Sequence, residues 1–113
     1  MDESILTSIK KLLGISEEYT SFDQDIIMHI NSVFSILTQQ FGVGPSSGFS
    51  IEDDSATWSD FIEDGTKFEL IKTYIYMKVR LVFDPPTNSV VMESIKNTIS
   101  ELEWRITAIA DTK

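Results

Sequence analysis

The feature that most constrains the fold is the pair Pro85 and Pro86, which follows a long segment of apolar residues at helical spacing. Neither proline has a backbone N–H to donate, and Pro85 pushes Asp84 out of the α region, so a helix has to end here. The apolar positions of residues 66–83 surround most of the helical circumference, which predicts a helix at the centre of a bundle. A strand would suit the β-branched and aromatic residues, but the run is too long and too regular for one. We therefore expect two helices joined at a sharp corner formed by Phe83, Asp84, Pro85 and Pro86.

The segment after the corner predicts a long helix that ends near Ala110. Thr87 or Asn88 can cap its N-terminus. Its apolar seam has spacings of three and four and consists of Met92, Ile95, Ile99, Leu102, Ile106 and Ile109. Glu101 and Arg105 stand one turn apart in the order that favours an ion pair. Trp104 lies off the seam, so it either packs within the chain or contacts a partner.

Two more helices are predicted before the central one. Residues 2–13 carry apolar residues at helical spacing, and the following Gly14 is a typical C-terminal cap. A second apolar stripe extends to Gly42, and Ser21 or Asp23 can cap its start. We expect residues 1–113 to form one all-α domain, a small bundle of about four main helices with a long loop between helices two and three.

The loop predicted for residues 42–60 contains glycines, a proline and acids, and it has no sustained period. Loops of this length are uncommon in compact domains unless they carry function or become ordered on binding. Trp58 and Phe61 lie one helical turn apart in the acidic segment "DDSATWSDFIEDG" at the end of this loop. They either form a short helix that pins the loop to the core or anchor a neighbouring subunit, because buried aromatic residues dominate interface energetics.

Charge and composition exclude several functions. The formal net charge is -9, with 18 Asp+Glu against 9 Lys+Arg, which opposes tight binding to nucleic-acid phosphates. The absence of cysteine excludes disulfides and thiolate chemistry, and no apolar run is long enough to span a bilayer. The single histidine, His29, has no recognisable triad partners, and the acids between Glu52 and Asp64 lack the calcium-loop pattern. We expect no enzyme activity and no catalytic, metal or cofactor site.

Three side chains of the central helix, Lys72, Tyr76 and Arg80, follow one another at four-residue spacing and share one face. Such a stripe is usually the solvated edge of a buried helix, with the alkyl stems lying along the apolar surface. In an acidic protein the same stripe can instead meet an acidic patch on another copy.

Several elements of the sequence resemble the head-to-tail connector proteins of long-tailed bacteriophages, the small adaptor or head-completion proteins. The resemblance spans residues 22–106 and is carried by "ELIKTYIYMKVR", "LVFDPP" and "ELEWR", with "FDQDIIMHINSVFSILTQQFGVGP" similar as well. It implies a structural virion protein that docks on the portal as part of an oligomeric ring between portal and tail, with a channel for DNA.

The resemblance also implies partners and a location. The partners are the portal protein, a tail or stopper protein and other copies of the chain, while DNA passes through without specific binding and no membrane is involved. The location is the head–tail interface of the virion, and the host cytoplasm during assembly. The residues that we expect at the interface with the portal or a neighbouring subunit are Trp58, Phe61, Lys72, Tyr76, Arg80 and Trp104.

An acidic channel has a physical advantage, because carboxylates facing the lumen repel phosphates and let DNA slide. Glu52, Asp53 and Asp54 are the candidate channel-facing acids. The competing hypothesis is a small acidic helical regulator, encoded by a phage, that inhibits a host protein. The two hypotheses differ in stoichiometry, since a connector forms rings or binds a portal, whereas an inhibitor forms a discrete complex.

Overall fold

The computed structural model describes residues 2–63 and 65–111, with side chains up to residue 108. Its regular elements are helices α1 (Ile5–Leu12), α2 (Asp23–Gln39), α3 (Trp58–Phe61), α4 (Gly65–Phe83) and α5 (Ser89–Asp111). Within these residues the strand-like pairing consists of an isolated antiparallel bridge between Ser4 and Thr57. The all-α prediction with four main helices is confirmed, and α3 is a short additional helix at the end of the predicted loop. None of the described helices is long and apolar enough to cross a bilayer.

Helix α4 lies at the centre of the bundle and packs against α1, α2 and α5. Its fully buried residues are Ile71, Tyr74, Ile75 and Val79. Further apolar side chains around the helix, among them Phe68 and Met77, pack against the core from other sides. Three helical neighbours explain why the apolar residues of α4 surround most of its circumference.

Helix α1 has a side-chain cap at its N-terminus and a backbone cap at its C-terminus. The Ser4 hydroxyl accepts a hydrogen bond from the Thr7 N–H at 3.2 Å, which sets the start at Ile5 instead of the predicted residue 2. After the helix, Gly14 has φ +80°, and its N–H donates to the Lys11 carbonyl while the Ile15 N–H donates to the Lys10 carbonyl. This is a Schellman motif, which requires the left-handed backbone that glycine adopts most readily.

Helix α2 starts one residue away from the predicted caps. Its N-cap is Phe22, which provides no side-chain cap, so the prediction of Ser21 or Asp23 in that position was wrong. Asp23 instead lies in the first turn, where its carboxylate forms an ion pair with Lys10 from α1. Asp25 also lies in the first turn, as expected for acids at the positive end of a helix dipole.

The double proline separates α4 from α5 where the sequence predicts. Helix α4 ends at Phe83, and the Asn88 side chain caps α5 by accepting from the N–H groups of Val90 at 2.8 Å and Val91 at 3.3 Å. Further from the corner, the Tyr74 hydroxyl donates to Glu103 at 2.8 Å. Since both residues lie well away from the corner along their helices, α4 and α5 form an antiparallel hairpin.

Helix α5 packs mainly against α4 and buries only a narrow stripe. Of the predicted seam, Ile95, Ile99 and Ile106 are buried, whereas Met92 and Leu102 are half-buried. The side chain of Ile109 lies outside the described residues. Much of the surface of α5 is therefore left uncovered by its own chain.

Candidate interaction surfaces

Trp58 and Phe61 lie inside the core of their own chain. Trp58 is 0% exposed; its indole N–H donates to the Ser8 hydroxyl at 3.0 Å, and its ring packs edge-to-face on Phe68. Phe61 is likewise buried and packs on Phe34 with ring centroids 4.5 Å apart. These contacts agree with the short pinning helix and correct the expectation of an interface, because neither side chain is accessible to a neighbouring subunit.

The loop before α3 is also fastened to the core. The Asn31 side chain in α2 donates to the Ile51 carbonyl at 2.9 Å and accepts from the Ile51 N–H at 2.8 Å. Ile51 is buried, and Phe49 packs on the ring of Phe34. The loop therefore follows a defined path, and this path fixes where the acids after Ile51 lie.

The candidate channel acids Glu52, Asp53 and Asp54 are all exposed directly after Ile51. The Asp53 carboxylate accepts hydrogen bonds from the Ser55 hydroxyl and from the Ser55 N–H. Both bonds hold the pKa of Asp53 below its usual range, and the bond from the hydroxyl has the larger effect. The three acids accordingly form a negatively charged turn at the protein surface, and their position in a channel stays a prediction.

The stripe on α4 divides into one cation bound within the chain and one that is available. Lys72 forms an ion pair with Glu3 at 3.2 Å, and its ammonium group lies 5.4 Å from the centroid of Phe68. Arg80 donates to the Tyr76 hydroxyl at 3.3 Å, but among the described residues it forms no ion pair. Arg80 is therefore the member of the stripe whose charge is available to a partner, and its hydrogen bond to the Tyr76 hydroxyl helps to position it.

Three aromatic rings lie close together at the end of α4. Phe22 packs edge-to-face on Phe83 with centroids 5.3 Å apart, and Tyr19 lies 5.5 Å from Phe22. Tyr19 and Phe22 are nevertheless exposed. Phe83 and Arg80 are three residues apart, so they share a face of α4. We call Tyr19, Phe22, Arg80 and Phe83 the corner platform.

The platform is held in place by Lys10, a residue that sequence reasoning did not single out. Lys10 is 2% exposed, and its ammonium group donates to the carbonyls of Glu17 and Tyr19 at 3.1 and 2.8 Å. The same group lies 2.9 Å from the Asp23 carboxylate. One signal was present in the sequence, because Lys10 follows Leu6 by four residues and therefore falls on the apolar face of α1.

Trp104 points away from the core on α5 and is 71% exposed. The other residues that lie opposite the buried seam are exposed as well. We call this surface the outer face of α5, and it consists of Val90, Glu93, Asn97, Glu101 and Trp104. The predicted ion pair between Glu101 and Arg105 is present at 3.0 Å, with both side chains more than half exposed. Tryptophan is among the residue types enriched at protein–protein interfaces, so Trp104 is a candidate contact residue.

Tyr74 is the titratable group most affected by the fold. Its burial against α5, followed by its hydrogen bond to Glu103, raises the pKa of the phenol well above its ordinary value. The phenol therefore stays neutral and ties α5 to α4. Within residues 2–63 and 65–111, which omit Asp64, no group of three His, Asp or Glu side chains could hold a metal ion.

Comparison with known proteins gives one finding. The model of a family described as phage connector protein matches residues 5–113, nearly the whole chain. No curated protein and no solved structure matches the chain.

Proposed function

Because the chain belongs to the phage connector protein family, we propose that it is a subunit of a ring that docks on the portal and leaves a channel for DNA. In this proposal it is a structural protein of the virion and has no catalytic activity. Its partners are the portal protein, a tail or completion protein and other copies of the chain. It resides at the head–tail interface after assembly in the host cytoplasm.

The observation that carries this proposal is the family match over residues 5–113. The shape of the molecule supports it, since α5 buries one narrow stripe and leaves Trp104 and Val90 exposed on its outer face. Large exposed apolar side chains are typical of surfaces that become buried in an assembly. A ring subunit needs such surfaces on two sides.

The charge of the chain suits passage of DNA. The formal net charge is -9, and Glu52, Asp53 and Asp54 form an exposed acidic turn. Carboxylates that face a channel repel phosphates, so DNA moves through without binding. We propose these three residues as the channel-facing acids.

The proposal is tested by mixing the purified chain with the portal protein of the same phage and imaging the product by negative-stain electron microscopy. A ring of extra density on the portal is expected, and light scattering on the free chain gives its own oligomeric state. A small acidic inhibitor would instead form a discrete complex with a host protein and add no density to the portal. That result would refute the connector role of this chain.

A further inference from the structure

Among the described residues, the corner platform and the outer face of α5 each carry exposed aromatic side chains. The corner platform lies at the end of α4, whereas Trp104 lies sixteen residues beyond Asn88, which corresponds to about 24 Å along α5. We propose that the outer face of α5 of one copy docks on the corner platform of the next copy. This inference rests on the proposed ring and names the two surfaces that join its subunits.

The outer face of α5 combines an indole ring with a carboxylate. Trp104 is 71% exposed, and Glu101 lies one turn before it on the same face. Among the described residues Glu101 pairs with Arg105, at 3.0 Å and with both side chains more than half exposed. An exposed pair of this kind contributes little stability, so Glu101 can exchange its partner at little cost.

The corner platform has the complementary chemistry. It presents the rings of Tyr19, Phe22 and Phe83, and Arg80 lies one turn before Phe83 on the same face of α4. Arg80 donates to the Tyr76 hydroxyl but has no ion pair among the described residues, so its charge is available. A guanidinium group binds the face of a tryptophan ring and also pairs with a carboxylate. Trp104 and Glu101 of a neighbouring copy supply both groups.

Charge also favours contact between an outer face of α5 and a corner platform over contact between two identical surfaces. If two outer faces of α5 met, Glu93 and Glu101 would approach the same acids of the other copy, and like charges across an interface are unfavourable. If two corner platforms met, the Arg80 side chains would approach each other. A contact between two different surfaces repeats from copy to copy and closes into a ring when the rotation allows. The pairing therefore has the symmetry that the proposed function needs.

The packing of the α1–α2 connection supports the platform as a preformed site. Lys10 fixes the carbonyl of Tyr19 at 2.8 Å and pairs with Asp23 directly after Phe22. The backbone that carries these two exposed aromatic residues is thereby held in place before any partner arrives. Preorganised side chains lose less conformational entropy on binding, which increases affinity.

The chain has no cysteine, so the proposal can be tested by disulfide crosslinking between single-cysteine variants of the full chain. Ala108→Cys lies one turn beyond Trp104, and Ser21→Cys lies beside Phe22; both positions are exposed and leave the paired side chains intact. Ser35→Cys, exposed on α2, is the matched control. Variants are mixed, oxidised and analysed by non-reducing electrophoresis, both as free chains and in the presence of the portal.

We expect Ala108→Cys and Ser21→Cys to crosslink at least about tenfold faster than Ala108→Cys and Ser35→Cys, because docking raises the local thiol concentration. Adding Trp104→Ala or Arg80→Ala should remove this excess. Equal rates in both settings, or faster crosslinking of Ala108→Cys with itself, would overturn the pairing. Rings on the portal without the excess would leave the proposed function standing and reject only these surfaces. If no rings form, the proposed function fails, and the rates of the free chains still decide the pairing.

Discussion

The ammonium group of Lys10 in α1 lies 2.9 Å from the carboxylate of Asp23 in the first turn of α2. The Lys10 side chain is almost completely shielded from water, and it also donates hydrogen bonds to two backbone carbonyls of the connection between these helices. A buried ammonium group is tolerated only when its donors are paired. Here one ammonium group donates to two carbonyls, forms an ion pair with Asp23 and closes the connection between two helices.

Replacing Lys10 should therefore destabilise the fold. Lys10→Ala leaves Asp23 without its cation and two carbonyls without donors, and we expect a loss of about 3 kcal/mol in the free energy of unfolding. Lys11→Ala is the matched control, because Lys11 is exposed and its removal should change little. Urea denaturation followed by circular dichroism measures both variants. Equal stabilities for the two would contradict the role assigned to Lys10.

The two tryptophans should separate stability from assembly. Trp58→Ala removes a fully buried ring and its hydrogen bond to Ser8, and we expect a loss of about 3–5 kcal/mol in the free energy of unfolding. Trp104→Ala should stay within about 0.5 kcal/mol of the wild type while weakening ring assembly on the portal. Thermal or urea unfolding and electron microscopy of portal complexes provide the two readouts. A large loss of stability in Trp104→Ala would show that its ring packs within the chain.

Charge reversal at Arg80 should affect assembly and not folding. Arg80→Glu places a carboxylate beside the platform, where it repels an incoming acid, and we expect at least about a tenfold loss in assembly on the portal. The helical circular dichroism signal should remain, since Arg80 makes no ion pair within the described residues. Lys96→Glu, on an exposed position of α5, is the control with the same change in charge. Normal assembly of Arg80→Glu would refute the assignment.

Tyr74 predicts how stability depends on alkaline pH. Burial and the bond to Glu103 raise the pKa of Tyr74 above its unfolded value of about 10. Above that pH the unfolded chain releases a proton that the folded chain retains, so the free energy of unfolding should fall as the pH rises. Tyr74→Phe should lose about 1 kcal/mol at neutral pH but show a shallower fall above pH 10. Denaturation curves at several alkaline pH values test this; parallel pH profiles for the two proteins would argue against it.

Asn31 should control the order of the loop before α3. Asn31→Ala removes both hydrogen bonds to the buried backbone of Ile51, and we expect a loss of about 1–3 kcal/mol in the free energy of unfolding. Hydrogen exchange near residue 51 should accelerate at the same time. Asn97→Ala, an exposed asparagine on α5, should have neither effect. Unchanged protection at Ile51 in Asn31→Ala would mean that apolar packing alone holds the loop.

The helices themselves were largely predictable because the signals that end them are local. The predicted central helix of residues 66–83 differs by one residue from the observed Gly65–Phe83, since proline stops a helix whatever surrounds it. The N-cap of α2 was missed because Asp23 is drawn into an ion pair with a residue from another helix. Local sequence cannot report such a tertiary contact.

The candidate site was predicted less well, because the accessibility of a side chain depends on which elements pack together. For both Trp58 and Trp104 the sequence left two alternatives, packing within the chain or contact with a partner. Trp58 is fully buried, whereas Trp104 is 71% exposed. The difference arises because α1 covers Trp58, whereas no helix among the described residues covers the outer face of α5. The corner platform was missed because its rings come from two segments that meet only in the folded chain.

The hydrogen bond between Trp58 and Ser8 joins residues that are 50 positions apart. During synthesis, α1 therefore leaves the ribosome long before Trp58, which packs against it in the folded chain, has been translated. The hairpin of α4 and α5, by contrast, forms between neighbouring segments of the chain, and such contacts close quickly. Until Trp58 has been made, α1 lacks the side chain that packs against it in the folded protein. During this interval the nascent chain is most accessible to chaperones and most prone to premature aggregation.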